Sequence, residues 1–286
     1  MLIADSGSTK TAWMWVEEGM SDRVCQTSGI NPILQTKEEI TAVVEEELLP
    51  AFRERGKDIA SVDKVFFYGA GCLPSHCLVV EAILQWCFPE AMIQVHSDLL
   101  GAARALCIRE EGIACILGTG SNSCLFDGEQ IVKNVSPLGF ILGDEGSGAV
   151  LGRSLVGDLL KGCLPSALKE EFLCTYHLTP EEIIAGVYRR PMPSRFLASF
   201  APFLNTHRTH PGVHRLLVDN FRSFFQRNVA AYERHDLPVH FVGSIASVFS
   251  NELREAARQE SFVLGHIERS PLRRMAEYHR VHSSAC

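Results

Sequence analysis

Short apolar runs and stretches of helical spacing alternate along the chain, and the same order begins twice. In the first half, three apolar runs come before a stretch whose apolar residues lie three and four positions apart. The pattern predicts three strands, a helix, a strand, a helix, a strand and a helix, with Ser75 capping the second helix. The predicted strands cover residues 1–5, 11–17, 23–27, 62–68 and 92–96, and the predicted helices cover 38–55, 75–88 and 98–109.

The second half begins again with three apolar runs, and Asp127-Gly128 between the last two is typical of a hairpin turn. A long helical region interrupted by prolines follows. We expect an α/β fold with an N-terminal lobe at 1–108 and a C-terminal lobe at 109–286, whose last helix is a candidate for packing back on the first lobe. The predicted strands are 113–117, 123–126, 130–135, 239–242 and 262–264, and the predicted helical parts are 147–225, 245–258 and 272–279.

Each half opens with an apolar run that stops at a turn rich in glycine, serine and threonine. Glycine lets backbone N–H groups approach a phosphate closely, and hydroxyl groups add further donors. One such turn is equally well explained as an ordinary tight hairpin. Two of them, one in each half, favour a duplicated phosphate-binding hairpin. The candidate phosphate-binding residues are Gly7, Ser8, Thr9 and Lys10 in the first turn and Gly118, Thr119, Gly120 and Ser121 in the second.

The familiar nucleotide motifs are absent from the sequence. It has no GxxxxGK[ST] loop, no GxGxxG at the first strand–helix crossover, and no protein kinase HRD and DFG segments. A nucleotide-binding interpretation therefore requires a fold in which hairpins, and not a helix N-terminus, contact the phosphates.

Two acidic residues stand at the ends of predicted strands. Asp5 ends the first strand, where a carboxylate can hold Mg²⁺ through water, and the second Gly-rich turn has no acid at the aligned position. Asp98 begins a helix directly after a strand. It is a candidate cap for that helix or a general base that accepts the proton of an attacking hydroxyl group.

Two further segments combine glycine with polar residues. Residues 137–148 hold four glycines and the adjacent acids Asp144 and Glu145, which either cap the next helix or accept hydrogen bonds from sugar hydroxyl groups. Gly243-Ser244 follows a buried strand. Small residues there either form a tight strand–helix crossover or allow a flat base to lie against the backbone.

Composition excludes several classes of partner. The formal net charge of -7 and the pI near 5.9 argue against nucleic-acid binding. We expect no signal peptide and no membrane-spanning segment, because the sequence shows neither a basic start followed by an apolar run nor a long uncharged apolar stretch. Ten cysteines without a CxxC pair predict buried free thiols in a reducing cytoplasm. Six histidines are interpreted as surface or helix-end residues: His207, His210, His214, His235, His279 and His282.

Taken in order, these segments resemble the superfamily of sugar kinases, heat-shock ATPases and actin. Within it, the set GTGSN, GDEGSG and a strand-end Asp is similar to the BadF/BadG ATPase family and the N-acetylglucosamine kinases grouped with it. The resemblance covers nearly the full length. It implies two duplicated ribonuclease H-like lobes of βββαβαβα type, the actin-like ATPase fold, with a cleft that closes over ATP and a sugar.

The resemblance also assigns roles to residues of this chain. Asp98 matches the family's catalytic Asp, and Thr9 and Thr119 match its phosphate-contacting threonines. Gly243 and Ser244 fall in its adenosine motif. The residues that match the sugar-binding positions are Asn31, Asn122, Leu138, Gly139, Phe140 and Asp144, and Leu138 and Phe140 replace the Trp and His of the animal enzyme.

We therefore expect a cytoplasmic enzyme, a homodimer by analogy with the family, that uses ATP and Mg²⁺ to phosphorylate the 6-hydroxyl of an amino sugar, with N-acetylglucosamine as the leading substrate. Glucosamine and N-acetylmuramic acid are alternative substrates. A second class is an ATPase that activates a partner dehydratase, although those activators carry Gly-Gly-Gln-Asp where this chain has Gly118-Thr119-Gly120-Ser121. A third is a sugar-binding regulator without catalysis.

Overall fold

The computed structural model describes residues 1–7, 9–17, 23–56 and 58–283. The chain divides into two compact units. The first contains Met1–Arg109 and the described residues from Pro271 onward, and the second contains Glu110–Ser270. In the described part of the chain, none of the helices has the length and apolar character needed to cross a membrane.

The first unit is built on a five-stranded sheet with the strand order β3-β2-β1-β4-β5. β1, β2 and β3 are antiparallel neighbours, and β4 and β5 run parallel to β1. The register places Ser6, Gly69 and Ser97 side by side, so the carboxyl ends of three strands meet at one edge. The strands are β1 (Leu2–Ser6), β2 (Lys10–Trp15), β3 (Arg23–Ser28), β4 (Lys64–Gly69) and β5 (Met92–Ser97).

Alternate residues of these strands face opposite sides of the sheet, and each side carries its own apolar cluster. Leu2 and Phe67 belong to the cluster beneath the helices between β3 and β5, whereas Ile3 and Phe66 belong to a cluster shared with the two remaining helices of the unit. The helices are α1 (Lys37–Ala42), a π-helical segment (Val43–Leu48), α2 (Leu49–Glu54), a short 3₁₀ turn (Ile59–Ser61), α3 (Cys77–Cys87), α4 (Asp98–Cys107) and α14 (Leu272–Ser283).

The C-terminal helix α14 packs on α4 within the first unit. His279 of α14 is buried, its ring stacks on Phe66 with 3.6 Å between centroids, and its Nε2 lies 2.9 Å from the hydroxyl of Tyr68. The interpretation of His279 as a surface residue is wrong, because the helix places it between two aromatic side chains of β4.

The second unit has a five-stranded sheet with the order β8-β7-β6-β9-β10, which matches the order β3-β2-β1-β4-β5 of the first unit. β6, β7 and β8 are antiparallel neighbours, and β9 and β10 run parallel to β6. The strands are β6 (Gly112–Leu117), β7 (Ser121–Phe126), β8 (Ile131–Val135), β9 (Val239–Val242) and β10 (Leu264–Glu268).

A set of helices between β8 and β9 packs with β6 and β9 around one apolar cluster. The predicted helical region is confirmed as a series of separate helices, whose breaks fall near its prolines. The helices of the unit are α5 (Gly139–Leu142), α6 (Gly148–Leu160), α7 (Ser166–Tyr176), α8 (Pro180–Tyr188), α9 (Pro193–Ala198), α10 (Ala201–Thr206), α11 (Pro211–Phe224), a π-helical turn (Phe225–Val229), a 3₁₀ turn (Ala230–Tyr232), α12 (Ser244–Val248) and α13 (Ser250–Gln259).

Several local predictions are corrected. Ser75 does not cap α3, because that helix begins at Cys77 and the Ser75 hydroxyl lies 2.9 Å from Nδ1 of His76. The single helix predicted over 245–258 is two helices that meet at Phe249. Cys163 and Cys174 are exposed, which contradicts the expectation that the free thiols are buried.

Candidate functional site

In the first unit, Asp5 and Asp98 lie near the edge where the strands of the sheet end. Asp5 is the fourth residue of β1, and Asp98 is the first residue of α4, directly after β5. The Ser97 hydroxyl caps α4 by accepting the N–H of Leu100 at 3.2 Å. The carboxylate of Asp98 therefore does not serve as the N-cap, although its Oδ1 accepts the N–H of Leu99 at 2.9 Å.

The two carboxyl groups hold their protons unusually tightly. Burial, and then the negative charge of Asp98, raise the pKa of Asp5 to about 7, although the cation of Lys10 opposes this. Burial raises the pKa of Asp98 to about 6, against the hydrogen bond from the N–H of Leu99. Both pKa values lie near neutral pH, where a carboxyl group can take up and release a proton.

The first Gly-rich turn joins β1 to β2. The N–H of Gly7 donates to the carbonyl of Lys10 at 3.0 Å, and Gly7, Thr9 and Lys10 are exposed. Ser8, the remaining candidate of this turn, lies outside the described residues. Below the turn, the hydroxyl groups of Ser6 and Thr11 are 2.6 Å apart.

The candidate sugar ligand Asn31 is held close to the end of β1. The Ser6 hydroxyl donates to the carbonyl of Ile30 at 3.0 Å and accepts the Ile30 N–H at 3.1 Å. Asn31 is 8% exposed, and its Oδ1 accepts the N–H of Ile33 at 3.1 Å. A Cβ atom at Gly71 would lie 2.1 Å from that Oδ1, so glycine is required beside Asn31.

The second Gly-rich turn joins β6 to β7 and is tied to α6. The Gly118 N–H donates to the carbonyl of Gly120 at 2.9 Å. The carbonyls of Gly118 and Thr119 in turn accept the N–H groups of Gly148 and Ala149, at 2.8 and 3.1 Å. These bonds use N–H groups of the first turn of α6 to fix the hairpin.

A cavity of about 350 Å³ opens beside this hairpin, entirely within the second unit. Thr119 and Ser244 both line it, so the structure brings the predicted phosphate turn and the predicted adenosine segment together. The volume lies within the usual range of pockets for small molecules. The residues that line the cavity are Gly118, Thr119, Ala198, Ala201, Pro202, Asn205, Ser244, Ile245, Val248 and Phe249.

Gly243 precedes the cavity residue Ser244 and allows β9 to cross to α12 close to the end of β6. Its φ is +126°, and a Cβ atom there would lie 2.2 Å from the carbonyl oxygen of Leu117. Its N–H donates to the carbonyl of Glu268 at 2.9 Å. A residue with a side chain would therefore push the crossover from β9 to α12 away from the end of β6.

Asp144 points at the second hairpin. It is 9% exposed, and its Oδ1 accepts the N–H of Ser121 at 3.3 Å. Burial, together with the neighbouring charge of Glu145, raises the pKa of Asp144, although the bond from Ser121 opposes this. Neither acid caps α6, since the Ser147 hydroxyl accepts the N–H of Val150 at 3.2 Å.

The other predicted sugar residues of the second unit are less tightly placed. Leu138 is 60% exposed, with a φ of +59°, and Gly139 next to it is also exposed. Phe140 is partly buried against the apolar cluster of the unit. Oδ1 of Asn122 accepts hydrogen bonds from the Ser123 N–H at 2.9 Å and from Nδ2 of Asn134 at 3.0 Å.

Sequence reasoning missed the wall of the cavity formed by α9 and α10. Ala198, Ala201, Pro202 and Asn205 lie there, far along the chain from Thr119. The sequence signal for this wall was two small residues three positions apart, Ala198 and Ala201. The same spacing is common in packed helices. Without the tertiary fold, that signal does not identify a pocket.

The solved structure of a candidate N-acetylglucosamine kinase from Porphyromonas gingivalis has a TM-score of 0.96 and 50% identity, over 99% of both chains. A candidate N-acetylglucosamine kinase from Chromobacterium violaceum has a TM-score of 0.76 and 20% identity, over 97% of this chain and 98% of that one. The ethanolamine utilization protein EutJ from Carboxydothermus hydrogenoformans has a TM-score of 0.59 and 14% identity, over 97% and 87%.

Two mixed sheets of the same strand order, each followed by helices, define the actin-like ATPase fold, which confirms the predicted fold class. No protein-family model and no curated protein matches the chain. The identity to the Porphyromonas protein is high and extends over almost the whole chain. The chain belongs to the N-acetylglucosamine kinase-like family of ATP-dependent sugar kinases, as the sequence resemblance predicted.

Proposed function

We propose that this protein transfers the γ-phosphate of ATP to the 6-hydroxyl of N-acetylglucosamine. The observation that carries the proposal is Asp98, a carboxyl group of near-neutral pKa placed where β5 ends and α4 begins. A general base works best when its pKa lies near the working pH. The choice of sugar is supported by the Porphyromonas protein, a candidate N-acetylglucosamine kinase that shares half of its residues with this chain.

In this proposal, Asp98 orients the 6-hydroxyl and accepts its proton as the oxygen attacks the γ-phosphorus. The bond between the γ-phosphorus and the oxygen that joins it to the β-phosphorus breaks, and ADP leaves. Phosphoryl transfer of this kind requires little covalent chemistry from the protein, so catalysis depends on positioning and on stabilising the charge of the phosphates. Asp5 and Lys10 lie close enough to interact electrostatically, which gives one acidic and one basic group beside the first turn.

The donor set of the first unit suits Mg²⁺. That ion usually keeps several waters and is held by one or two carboxylates together with substrate phosphates. Among the described residues no group of three or more His, Cys, Asp or Glu side chains could hold a metal ion, so a site built on Asp5, water and phosphate oxygens fits the chain better than a protein cage. When bound, Mg²⁺ would neutralise part of the phosphate charge.

Each unit carries candidate phosphate ligands in its Gly-rich hairpin, and the hairpin of the second unit lines a cavity. Gly7, Ser8, Thr9 and Lys10 are the proposed phosphate ligands of the first turn. Gly118, Thr119, Gly120 and Ser121 are those of the second, and Gly243 and Ser244 would contact adenosine. The cavity supports this assignment, because the Thr119 and Ser244 segments both line it and most of its wall is small or apolar.

Each unit carries candidate sugar ligands of its own. Asn31 and Asp144 are the best-supported ligands, since each is largely buried and fixed by a backbone hydrogen bond. Asn122, Leu138, Gly139 and Phe140 complete the proposed set.

The test is ADP release from Mg-ATP with N-acetylglucosamine, glucosamine, N-acetylmuramic acid, N-acetylmannosamine, glucose or buffer alone. We expect the largest stimulation with N-acetylglucosamine, and mass spectrometry of the product should show phosphate on O6. Asp98→Asn should remove that stimulation. Stimulation by another amino sugar would change the assigned substrate but would still support kinase activity. Hydrolysis that no sugar stimulates would favour the partner-activating ATPase and would make an iron assay the next step.

A further inference from the structure

The loop between α5 and α6 presents two adjacent carboxylates that point to different parts of the second unit. Asp144 reaches the second hairpin, where its Oδ1 accepts the N–H of Ser121. Glu145 reaches the π-helical turn that follows α11. Its Oε1 lies 2.7 Å from Nε of Arg227, and its Oε2 accepts Nδ2–H of Asn228 at 3.2 Å.

The backbone of this loop needs such an anchor. Asp144 has a φ of +54°, a left-handed conformation that costs a residue with a Cβ atom free energy unless its surroundings hold it. Its N–H donates to the carbonyl of Pro137 at 2.8 Å, and its carbonyl accepts the N–H of Ser147 at 3.0 Å. These bonds fix the loop to the segments before and after it, and Glu145 adds a bond to a different helix.

The two partners of Glu145 differ in burial. Asn228 is 5% exposed and lies in a turn whose Phe225 and Val229 belong to the unit's apolar cluster, so its amide group has a fixed position. The side chain of Arg227 is 62% exposed. An exposed ion pair contributes little to stability, so the buried amide of Asn228 is the more important anchor.

We propose that Glu145 is a positioning residue for the sugar: by bonding to Asn228 and Arg227 it holds the backbone that aims the Asp144 carboxylate. The inference rests on the proposed kinase function. Glu145 would touch neither ATP nor the sugar. Its loss should therefore weaken binding of the sugar alone, because the hairpin that carries the phosphate candidates is also fixed by the first turn of α6.

The test compares steady-state constants for both substrates in wild type and three variants. Glu145→Ala removes both anchors and should raise KM for the sugar about tenfold, which corresponds to about 1.4 kcal/mol. KM for ATP should stay within about twofold, and kcat within about threefold. Glu145→Gln keeps an oxygen that can accept the Asn228 amide, and should recover most of the sugar affinity.

Arg227→Glu is the third variant, chosen because an exposed charge reversal should leave the fold intact while it repels Glu145. It should raise KM for the sugar about threefold. The matched control is Glu111→Ala, which removes another Arg–Glu pair of the same unit, to Arg234 at 2.5 Å, without touching this loop. Its kinetic constants should equal those of wild type.

Two results would overturn the inference: an unchanged sugar KM in folded Glu145→Ala and Arg227→Glu, or equal increases in the KM values for sugar and ATP, which a general structural role predicts. Failure of the proposed function is recognised separately. In that case the wild type itself would show no sugar-dependent turnover, and the assignment of Glu145 would fall with it.

Discussion

Replacing Asp98 by Asn should make the protein more stable at the same time as it removes activity. Burial raises the pKa of Asp98 from a usual 3.8 to about 6, so the folded protein holds this proton more tightly than the unfolded chain does. The stability that the carboxyl group contributes therefore falls as the pH rises from about 4 to about 6, and the full loss is present above that range. Asn has no charge to lose and still offers an oxygen to the Leu99 N–H.

The structure sets an upper limit on the gain. A difference of about two pKa units, at about 1.4 kcal/mol each, corresponds to about 3 kcal/mol at pH 8. In a chain of this size each kcal/mol raises the melting temperature by about 2 °C, so the expected increase is up to about 6 °C. Near pH 4, where the folded protein carries a neutral Asp98, the two proteins should melt together.

The assay is thermal unfolding of wild type and Asp98→Asn at pH 8 and pH 4, without nucleotide or Mg²⁺. Asp127→Asn is the control, because backbone N–H groups of Gln130 and Glu129 lower the pKa of Asp127, and its neutralisation should give no increase at pH 8. An Asp98→Asn protein that melts at or below the wild-type temperature at pH 8 would refute the argument from burial. Near-normal turnover in that variant would refute the role as base.

Three further predictions concern the same two units. The value of kcat/KM for the sugar should fall about tenfold per pH unit below pH 6 as Asp98 takes up its proton, and a profile that stays flat to pH 5 would contradict this. Gly243→Ala should lower the melting temperature by several degrees, because its Cβ would lie 2.2 Å from the Leu117 carbonyl, whereas Gly157→Ala, whose Cβ meets no described atom within 4 Å, should not. Ala201→Phe should fill the cavity and raise KM for ATP about tenfold but leave KM for the sugar unchanged; equal effects on both would argue against an adenosine pocket.

Most strands of the two sheets were predictable because their signals are local, whereas the strand predicted at 262–264 lies at Leu264–Glu268. Strand β4 is an apolar run that ends at glycine, and the two hairpins are short turns between adjacent strands. Asp98 could be singled out for the same reason: it is a carboxylate at a strand–helix junction, and ligands of α/β sheets gather at the carboxyl ends of strands. Its pKa near 6 was not predictable, since it depends on how much protein surrounds the carboxyl group.

Contacts between distant segments were the parts that sequence could not supply. The cavity joins Thr119 to Ala198 and Ser244, three segments whose spacing along the chain says nothing of their distance in space. From the sequence alone, Asp144 and Glu145 were alternatives for the same two roles, capping the next helix or binding sugar hydroxyl groups. Only its contacts with Arg227 and Asn228, more than 80 positions away, separate the two acids into different roles.

The two units share one strand order but differ where chemistry is proposed. Ser6 pairs with Thr11 across the first hairpin, and Leu117 pairs with Ser121 across the second, so the position that Asp5 holds in β1 is taken by Ile116 in β6. The first sheet's outer parallel strand, β5, leads directly into Asp98 and α4. The corresponding strand of the second sheet, β10, leads through residues 269–271 into α14, which packs on α4 in the first unit.

The second unit therefore carries no counterpart of either carboxylate at these two positions of the described chain. The nucleotide is assigned to the second unit because Thr119 and Ser244 line one cavity there. The first unit retains both acids and suits a metal ion and a hydroxyl group that must lose a proton. We propose different roles for the two units because they carry different residues at these matching positions of one strand order.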